Sequence, residues 1–194
     1  MKTIADEKPI LAFKDKKAWL KWLENNHAKS SGVWLRLAKK TSGIRSVTRE
    51  ESLDVALCYG WIDGQAKSDG DEYWLQKYTP RTKRSIWSKR NREKVESFIE
   101  NGEMQAAGLA EIERAKADGR WEAAYDSPKN ITVPEDLQKI LNKNKKAKAF
   151  FETLDSRNRY AILFRIHNAK KAETREKRIG QFVDMLVRKE KIYS

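Results

Sequence analysis

The sequence predicts an α+β protein in which a small antiparallel sheet packs with helices and a C-terminal helical bundle follows. Residues 33–39, 61–67 and 72–78 have compositions typical of half-buried strands, and an Asp-Gly pair between the last two predicts a hairpin. After Pro80, apolar residues recur at helical spacing through most of the chain. These observations together define the predicted fold class.

Capping residues predict where the N-terminal helices begin and end. Asp15 precedes a run with tryptophan and leucine at helical spacing and is the expected N-cap of a first helix. Thr48 and Glu51 have the spacing of a capping box, which predicts a second helix. Gly60 is the expected end of that helix, because glycine readily adopts the left-handed conformation.

The last third of the chain contains four amphipathic runs, which predict a helical bundle. They lie near residues 137–141, 147–154, 160–167 and 179–187. Residues 127–130 form the most linker-like stretch. We therefore expect two domains, an α+β domain at residues 1–126 and a helical module at residues 130–194.

Composition favours a protein of the cytoplasm. Cys58 is the single cysteine among 194 residues, so neither an intramolecular disulfide nor a cysteine-based metal cluster is possible within one chain. No segment has the apolar length expected of a signal peptide core or a membrane span. We predict no metal and no cofactor, and the oligomeric state is left open.

The formal charge of +13 is concentrated in two windows. Residues 77–94 contain eight Lys or Arg and one acidic residue. Residues 157–191 contain eleven Lys or Arg and four acidic residues. Such fields attract polyanions, although basic helix faces also serve solubility alone. The candidates for nucleic-acid contacts in these windows are Lys83, Arg84, Lys89, Arg90, Arg92, Lys170, Lys171, Arg175 and Arg178.

The sequence contains no recognisable catalytic motif. Phosphate-binding loops, dinucleotide fingerprints, nucleophile elbows and zinc-ligand spacings are missing, so we predict no catalytic residue. The two histidines, His27 and His167, lie near opposite ends of the chain, which disfavours a histidine-based triad. Cys58 follows a predicted helix without a nearby histidine and is expected to be a buried structural thiol.

Aromatic, cationic and small polar residues are concentrated around the predicted hairpin and again near residue 120. Polar groups on loops beside aromatic rings favour a shallow pocket for an anionic ligand. The candidate ligand-binding residues are Tyr59, Trp61, Asp63, Arg81, Ser85, Trp87, Asn91, Lys116, Arg120, Trp121 and Tyr125. A structural interpretation stays open, with the tryptophans in the core and Asp63 and Arg81 as an ion pair.

These residues carry a resemblance to a known family. The sequence resembles the bacterial YdeI/OmpD-associated family, also described as bacteriocin-protection proteins. The matching pieces are residues 56–64 (ALCYGWIDG), Thr79-Pro80-Arg81 with Ser85, Trp87, Ser88 and Asn91, Ala115-Lys116 with Gly119-Arg120-Trp121 and Ala124-Tyr125, and, further on, Val133-Pro134, Ala169-Lys170, Thr174-Arg175 and Arg178-Ile179.

The resemblance implies a fold more than an activity. It implies no catalytic residue, a link to resistance against antimicrobial peptides, and an N-terminal half similar to the YjbR/CyaY-like group. A protein of charge +13 repels cationic peptides, so any protection is expected to be indirect.

Three functions follow from this reading. The first is a non-catalytic cytoplasmic binding protein that contributes to bacteriocin resistance. The second is nucleic-acid binding through the two basic windows, with Trp87 or Tyr160 available for stacking on bases. The third is an enzyme or a sensor for a small anionic ligand.

Overall fold

A computed structural model describes residues 8–194 of the chain and confirms the α+β fold class. The strands are β1 (Ile10–Ala12), β2 (Val33–Ala38), β3 (Trp61–Asp69) and β4 (Tyr73–Pro80). The helices are α1 (Lys16–Asn26), α2 (Arg49–Cys58), α3 (Lys89–Glu100), α4 (Ala106–Ala117), α5 (Glu135–Lys143), α6 (Lys145–Glu152), α7 (Ser156–His167) and α8 (Ala172–Val187), with a 3-10 turn at Lys40–Ser42.

The chain divides into two compact units. The first comprises the chain up to Trp87 together with Asn91–Ala123, and the second comprises Ser88–Arg90 and Ala124–Ser194. Within residues 8–194, none of the helices combines the length and the apolar character that crossing a membrane requires.

The sheet of the first unit is mixed, with the strand order β1-β2-β4-β3. The three predicted strands pair antiparallel, and β3 and β4 form the predicted hairpin, in which Gly70 has a φ of +76°. Strand β1 was not predicted, and its parallel pairing with β2 makes the four-stranded sheet mixed. With only three residues, β1 is too short to show alternation in the sequence.

Local capping confirms the predicted helix starts. The Asp15 carboxylate accepts a hydrogen bond from the Ala18 amide at 2.9 Å at the start of α1. Thr48 and Glu51 form both bonds of the capping box at the start of α2. Gly60, with a φ of +73°, ends the turn between α2 and β3, which fixes where β3 begins.

The second unit has its own hydrophobic core, formed by α5 to α8. Leu137, Leu141, Phe151, Ile162 and Leu186 are each at most 3% exposed. The four predicted amphipathic runs therefore form four helices that bury their apolar faces together.

Candidate ligand-binding site

The first group of predicted site residues belongs to an aromatic core beside α1. Trp61 is 1% exposed and packs edge-on against Trp19 and Trp22, at centroid distances of 6.4 and 5.9 Å. Its Nε1 donates to the carbonyl oxygen of His27 at 3.2 Å, and the ring of Tyr59 lies 5.1 Å from the ring of His27. Trp61 and Tyr59 thus contribute to packing within the first unit.

Asp63 forms an ion pair with Arg49. The distance from Arg49 Nη2 to Asp63 Oδ2 is 3.1 Å. The Asp63–Arg81 pair considered from the sequence was therefore wrong, because the cation that reaches Asp63 comes from the first turn of α2, 14 positions earlier.

A second group converges on two indoles packed edge to face, and we call Arg81, Trp87, Arg92, Arg120 and Trp121 the Arg–Trp cluster. The Arg81 guanidinium carbon lies 3.6 Å from the centroid of Trp87, and the Trp87 and Trp121 rings are 5.0 Å apart at an angle of 64°. Arg92 lies 4.9 Å from the Trp121 centroid, and its Nη1 donates to the Trp121 carbonyl at 2.8 Å. Cations over indole faces are favourable electrostatic contacts.

Arg120 holds the loop between β4 and α3. Its Nη1 donates to the carbonyl oxygen of Ser85 at 2.8 Å, and its Nε lies 2.8 Å from both carboxylate oxygens of Asp118. Inside the loop, the Thr82 amide donates to Ser85 Oγ at 2.9 Å. The predicted residues Ser85 and Arg120 are therefore brought together by hydrogen bonds to the backbone.

Except for the half-buried Arg92, the Arg–Trp cluster is buried, yet some of its donors have no acceptor. Arg81 and Arg120 are each 4% exposed, and Trp87 is 1% exposed. Among residues 8–194, Trp87 Nε1 and Arg120 Nη2 have no hydrogen-bond partner. Buried donors are nearly always satisfied, so each of these two atoms is expected to have an acceptor outside the chain.

Two further predicted residues belong to the same part of the first unit. Asn91 is buried in the first turn of α3. Lys116 lies at the end of α4, with its Nζ 5.8 Å from the Trp121 centroid and 2.8 Å from the Glu113 carboxylate.

Tyr125 lies in the second unit. Its ring packs edge-on against Phe164 at 4.9 Å, and its backbone forms an isolated bridge with Ser88. The sequence prediction grouped Tyr125 with Trp121 because the two are close in the chain.

Four of the candidate nucleic-acid contacts bind within the protein. Lys89 pairs with Asp126, Arg92 binds Trp121, Arg175 pairs with Asp136, and Arg178 donates to the Arg165 carbonyl. Arg90 is exposed at the start of α3. The remaining candidates are the exposed Lys83, Arg84, Lys170 and Lys171. Within the described part of the chain, their side chains form no hydrogen bond or ion pair. The basic surface that could contact a nucleic acid is therefore smaller than the two windows of the sequence indicate.

Cys58 is a buried thiol, as predicted. It is 7% exposed at the end of α2, and burial raises the pKa of the thiol to about 11. The thiol is protonated at neutral pH, so Cys58 does not provide a nucleophilic thiolate there.

The histidines each bind to backbone. A ring nitrogen of His27 lies 2.9 Å from the Leu23 carbonyl, and one of His167 lies 3.0 Å from the Thr132 carbonyl. Across residues 8–194, no three His, Cys, Asp or Glu side chains gather in a group that could hold a metal ion.

The sequence prediction missed a groove along α7 in the second unit, to which Tyr160, Phe164 and Tyr193 contribute. Tyr160 and Phe164 share one face of α7 through their spacing of four, which is a usable signal. Tyr193 is 33 residues from Tyr160, and nothing in the local pattern indicates that it completes the groove.

Comparison with known families places both units. Residues 11–111 match the family described as "Domain of unknown function (DUF8412)", which covers 101 of the 194 residues, and the chain belongs to that family. Residues 130–189 match the family described as "Bacteriocin-protection, YdeI or OmpD-Associated". The chain matches no curated protein and no solved structure.

These matches confirm one expectation and correct another. The resemblance to the YdeI/OmpD-associated family is confirmed as a domain at residues 130–189. The expected similarity of the N-terminal half to the YjbR/CyaY-like group was wrong, because that half matches the DUF8412 family. A hairpin covered by helices occurs in many unrelated α+β folds, so this pattern alone does not specify a family.

Proposed function

We propose that the protein is a non-catalytic binding protein that takes up a small oxyanion, such as phosphate or sulfate, at the Arg–Trp cluster. We further propose that it acts in the cytoplasm and contributes indirectly to bacteriocin resistance. The single observation that carries the binding proposal is the presence of two buried donors, Trp87 Nε1 and Arg120 Nη2, without an acceptor among the described residues.

The energetic argument concerns those donors. A buried donor without an acceptor costs about 1–3 kcal/mol, and more when it is charged. An oxyanion has several acceptor oxygens and pairs well with a guanidinium. The oxygens of one oxyanion could accept from both Trp87 Nε1 and Arg120 Nη2, and an anionic oxygen is a stronger acceptor for a guanidinium than a neutral water molecule is.

The surroundings of the cluster add positive charge. Lys83 and Arg84 are exposed in the loop that Arg120 holds, and Lys116, which pairs with Glu113, lies over Trp121. Cations grouped in this way raise the local concentration of anions and their association rate.

The resistance role is supported by the match of residues 130–189 to the bacteriocin-protection family. With a net charge of +13, direct capture of cationic peptides is disfavoured by repulsion. Binding of an anion that reports on, or belongs to, the cell envelope is consistent with an indirect effect.

The binding proposal is tested by titrating the protein with sodium phosphate and sodium sulfate at constant ionic strength. A ligand that binds only the folded state raises the melting temperature, and isothermal titration calorimetry gives the affinity. The test variant is Trp87→Phe, which removes Nε1 and keeps an aromatic ring. We expect it to weaken binding about 3- to 10-fold, the effect of one hydrogen bond.

The matched control is Trp34→Phe. Trp34 is half-buried in β2, and Lys67 Nζ lies 4.5 Å from the centroid of its ring. The control thus makes the same chemical change, tryptophan to phenylalanine, outside the Arg–Trp cluster. Wild-type protein with no response to either anion, or equal weakening in both variants, would contradict the proposal. The resistance role is tested separately: a deletion strain whose sensitivity to bacteriocins is unchanged would rule it out.

A further inference from the structure

The groove of the second unit combines aromatic rings with two arginines. Its volume is about 680 Å³, which is within the usual range for small-molecule sites. The residues that line it are Pro128, Ser156, Arg157, Tyr160, Ala161, Phe164, Arg165 and Tyr193. Neither family description assigns it a ligand.

One face of α7 forms the floor of the groove. Arg157, Tyr160 and Phe164 follow a spacing of three and four, so they lie along the same side of the helix, and Arg165 lines the groove from the position after Phe164. The rings of Tyr160 and Phe164 are 5.5 Å apart, and both side chains are half-buried. Both side chains are thus partly accessible to a ligand.

Tyr193, which forms another wall of the groove, is held in place by a buried amide. Asn158 is 2% exposed, accepts a hydrogen bond from the Tyr193 amide at 2.9 Å and donates to the Tyr193 carbonyl at 3.1 Å. This two-bond clamp fixes the backbone that carries the Tyr193 ring. A wall that is fixed before binding reduces the entropy that a ligand must overcome.

The two rings on the floor of the groove are also held by contacts with neighbouring residues. The Tyr160 hydroxyl donates to the Asp126 carbonyl at 3.3 Å, and Phe164 packs edge-on against Tyr125 at 4.9 Å. These contacts limit the rotation of both rings, so the packing of the unit sets the orientation of the aromatic surface.

The charge of the groove is positive. Arg157 and Arg165 are exposed and eight residues apart, which is about 12 Å along a helix. The Arg157 guanidinium lies 4.2 Å from the Tyr193 ring centroid. In the described part of the chain, no carboxylate pairs with either guanidinium, and no Asp or Glu lines the groove.

We infer that this groove binds a small molecule that carries both a planar aromatic ring and an anionic group. The ring stacks on Tyr160 and Phe164, and the anionic group binds Arg157 or Arg165 through charge-assisted hydrogen bonds. A carboxylate and a phosphate share this chemistry. The inference concerns residues of the second unit alone and is independent of the oxyanion proposed for the Arg–Trp cluster.

The test uses ¹⁵N-labelled full-length protein and four probes. 2-Naphthoate and 2-naphthyl phosphate carry a ring and a charge, 2-naphthamide carries the ring alone, and inorganic phosphate carries the charge alone. We expect the first two to shift the backbone amide signals of Tyr160, Phe164 and Tyr193 and to bind at least about 5-fold more tightly than the other two. The tighter of the two anionic probes identifies the preferred group.

Variants separate the two components of recognition. Arg157→Gln and Arg165→Gln are exposed changes, and we expect at least one of them to weaken binding of the anionic probes about 3- to 10-fold while 2-naphthamide is unaffected. Phe164→Leu keeps an apolar side chain and is expected to weaken all three naphthyl probes. The control Lys139→Gln removes one exposed charge outside the groove and should change nothing.

The readout distinguishes this site from the Arg–Trp cluster. All seven tryptophans lie before residue 124, so indole N–H signals report on the first unit. Probe-induced shifts confined to indole signals, no shift at the groove amides, or equal weakening by Lys139→Gln and both arginine variants would overturn the inference. Phosphate binding lost in Trp87→Phe concerns the cluster and leaves the groove result unaffected.

Discussion

The Arg81 guanidinium lies 3.6 Å from the ring centroid of Trp87, and its Nη1 donates to the carbonyl oxygen of Ile86 at 3.2 Å. Arg81 directly follows β4, and Trp87 comes just before α3. The contact therefore joins the two ends of one loop. It gives Arg81 a role in stability in addition to its place in the proposed binding cluster.

We expect Arg81→Lys to lower the free energy of unfolding by about 1–3 kcal/mol. Lysine has no planar guanidinium, so it loses both the stack on Trp87 and the directed bond to Ile86. Urea unfolding followed by tryptophan fluorescence measures the change. Arg84→Lys in the same loop is exposed and should stay within about 0.5 kcal/mol of wild type. Equal effects of the two variants would contradict the structural role of Arg81.

Replacing two helical glycines by alanine should change the free energy of unfolding in opposite directions. A Cβ at Gly108 in α4 would collide with the carbonyl oxygen of Cys58 at the end of α2, whereas a Cβ at Gly180 in α8 would meet no atom of the described chain within 4 Å. We expect Gly108→Ala to destabilise the protein by about 1–3 kcal/mol through overpacking. Gly180→Ala should stabilise it by about 0.5–1 kcal/mol through helix propensity.

The comparison is made by thermal and urea unfolding of both variants beside wild type. Because both positions are helical, propensity alone would make both substitutions stabilising. A stabilising Gly108→Ala would show that α2 and α4 do not approach each other as closely as the structure indicates.

Local signals predicted much of this fold. The Thr48–Glu51 capping box, the Asp69–Gly70 turn and the four C-terminal helices depend on residues close together in sequence, and all are present. The short strand β1 was not predicted, because its pairing with β2 depends on a partner more than 20 positions away.

The candidate site was harder to predict for the same reason. Arg81, Trp87, Arg120 and Trp121 were selected for their chemistry, and the structure brings them together. Which cation reaches Asp63 is decided by the placement of α2 beside β3, and no spacing in the sequence encodes the choice of Arg49. Long-range partners of this kind follow only from the packed structure.

The Cys58 thiol should make stability depend on alkaline pH. Burial raises its pKa to about 11, so the folded state keeps the proton while the unfolded chain releases it near its usual range. The contribution is present below the unfolded pKa and is lost as the pH rises through the folded pKa. We expect the urea midpoint of the wild type to fall as the pH is raised from 8 to 10.5. The midpoint of Cys58→Ala should fall by less over the same range.

Thiol labelling provides an independent check on Cys58. At neutral pH the native protein should react slowly with iodoacetamide, and the rate should rise strongly on unfolding. Rapid labelling of native protein at pH 7 would contradict a buried, protonated thiol.

The Asp136–Arg175 pair should make the second unit sensitive to acid. Arg175 Nε and Nη2 lie 2.6 and 3.0 Å from the two carboxylate oxygens, and Nη1 donates to the Ile166 carbonyl at 2.9 Å. The hydrogen bond from Arg175 lowers the pKa of Asp136 below its usual range. A lowered folded-state pKa gives a contribution that is present above the unfolded pKa and is lost as the pH falls through the folded pKa.

We therefore expect Asp136→Asn to destabilise the protein at pH 7 by roughly 0.5–1 kcal/mol, since both side chains are partly exposed. The difference from wild type should be smaller at pH 2.5, because a larger fraction of the wild-type carboxyl is protonated there than at pH 7. Urea unfolding followed by far-ultraviolet circular dichroism at both pH values measures it. Glu135→Gln, whose carboxylate is 93% exposed and 3.9 Å from Lys139, is the control and should differ little from wild type at either pH. A difference that is the same at both pH values would mean that Asp136 acts through its shape at the start of α5, and not through its charge.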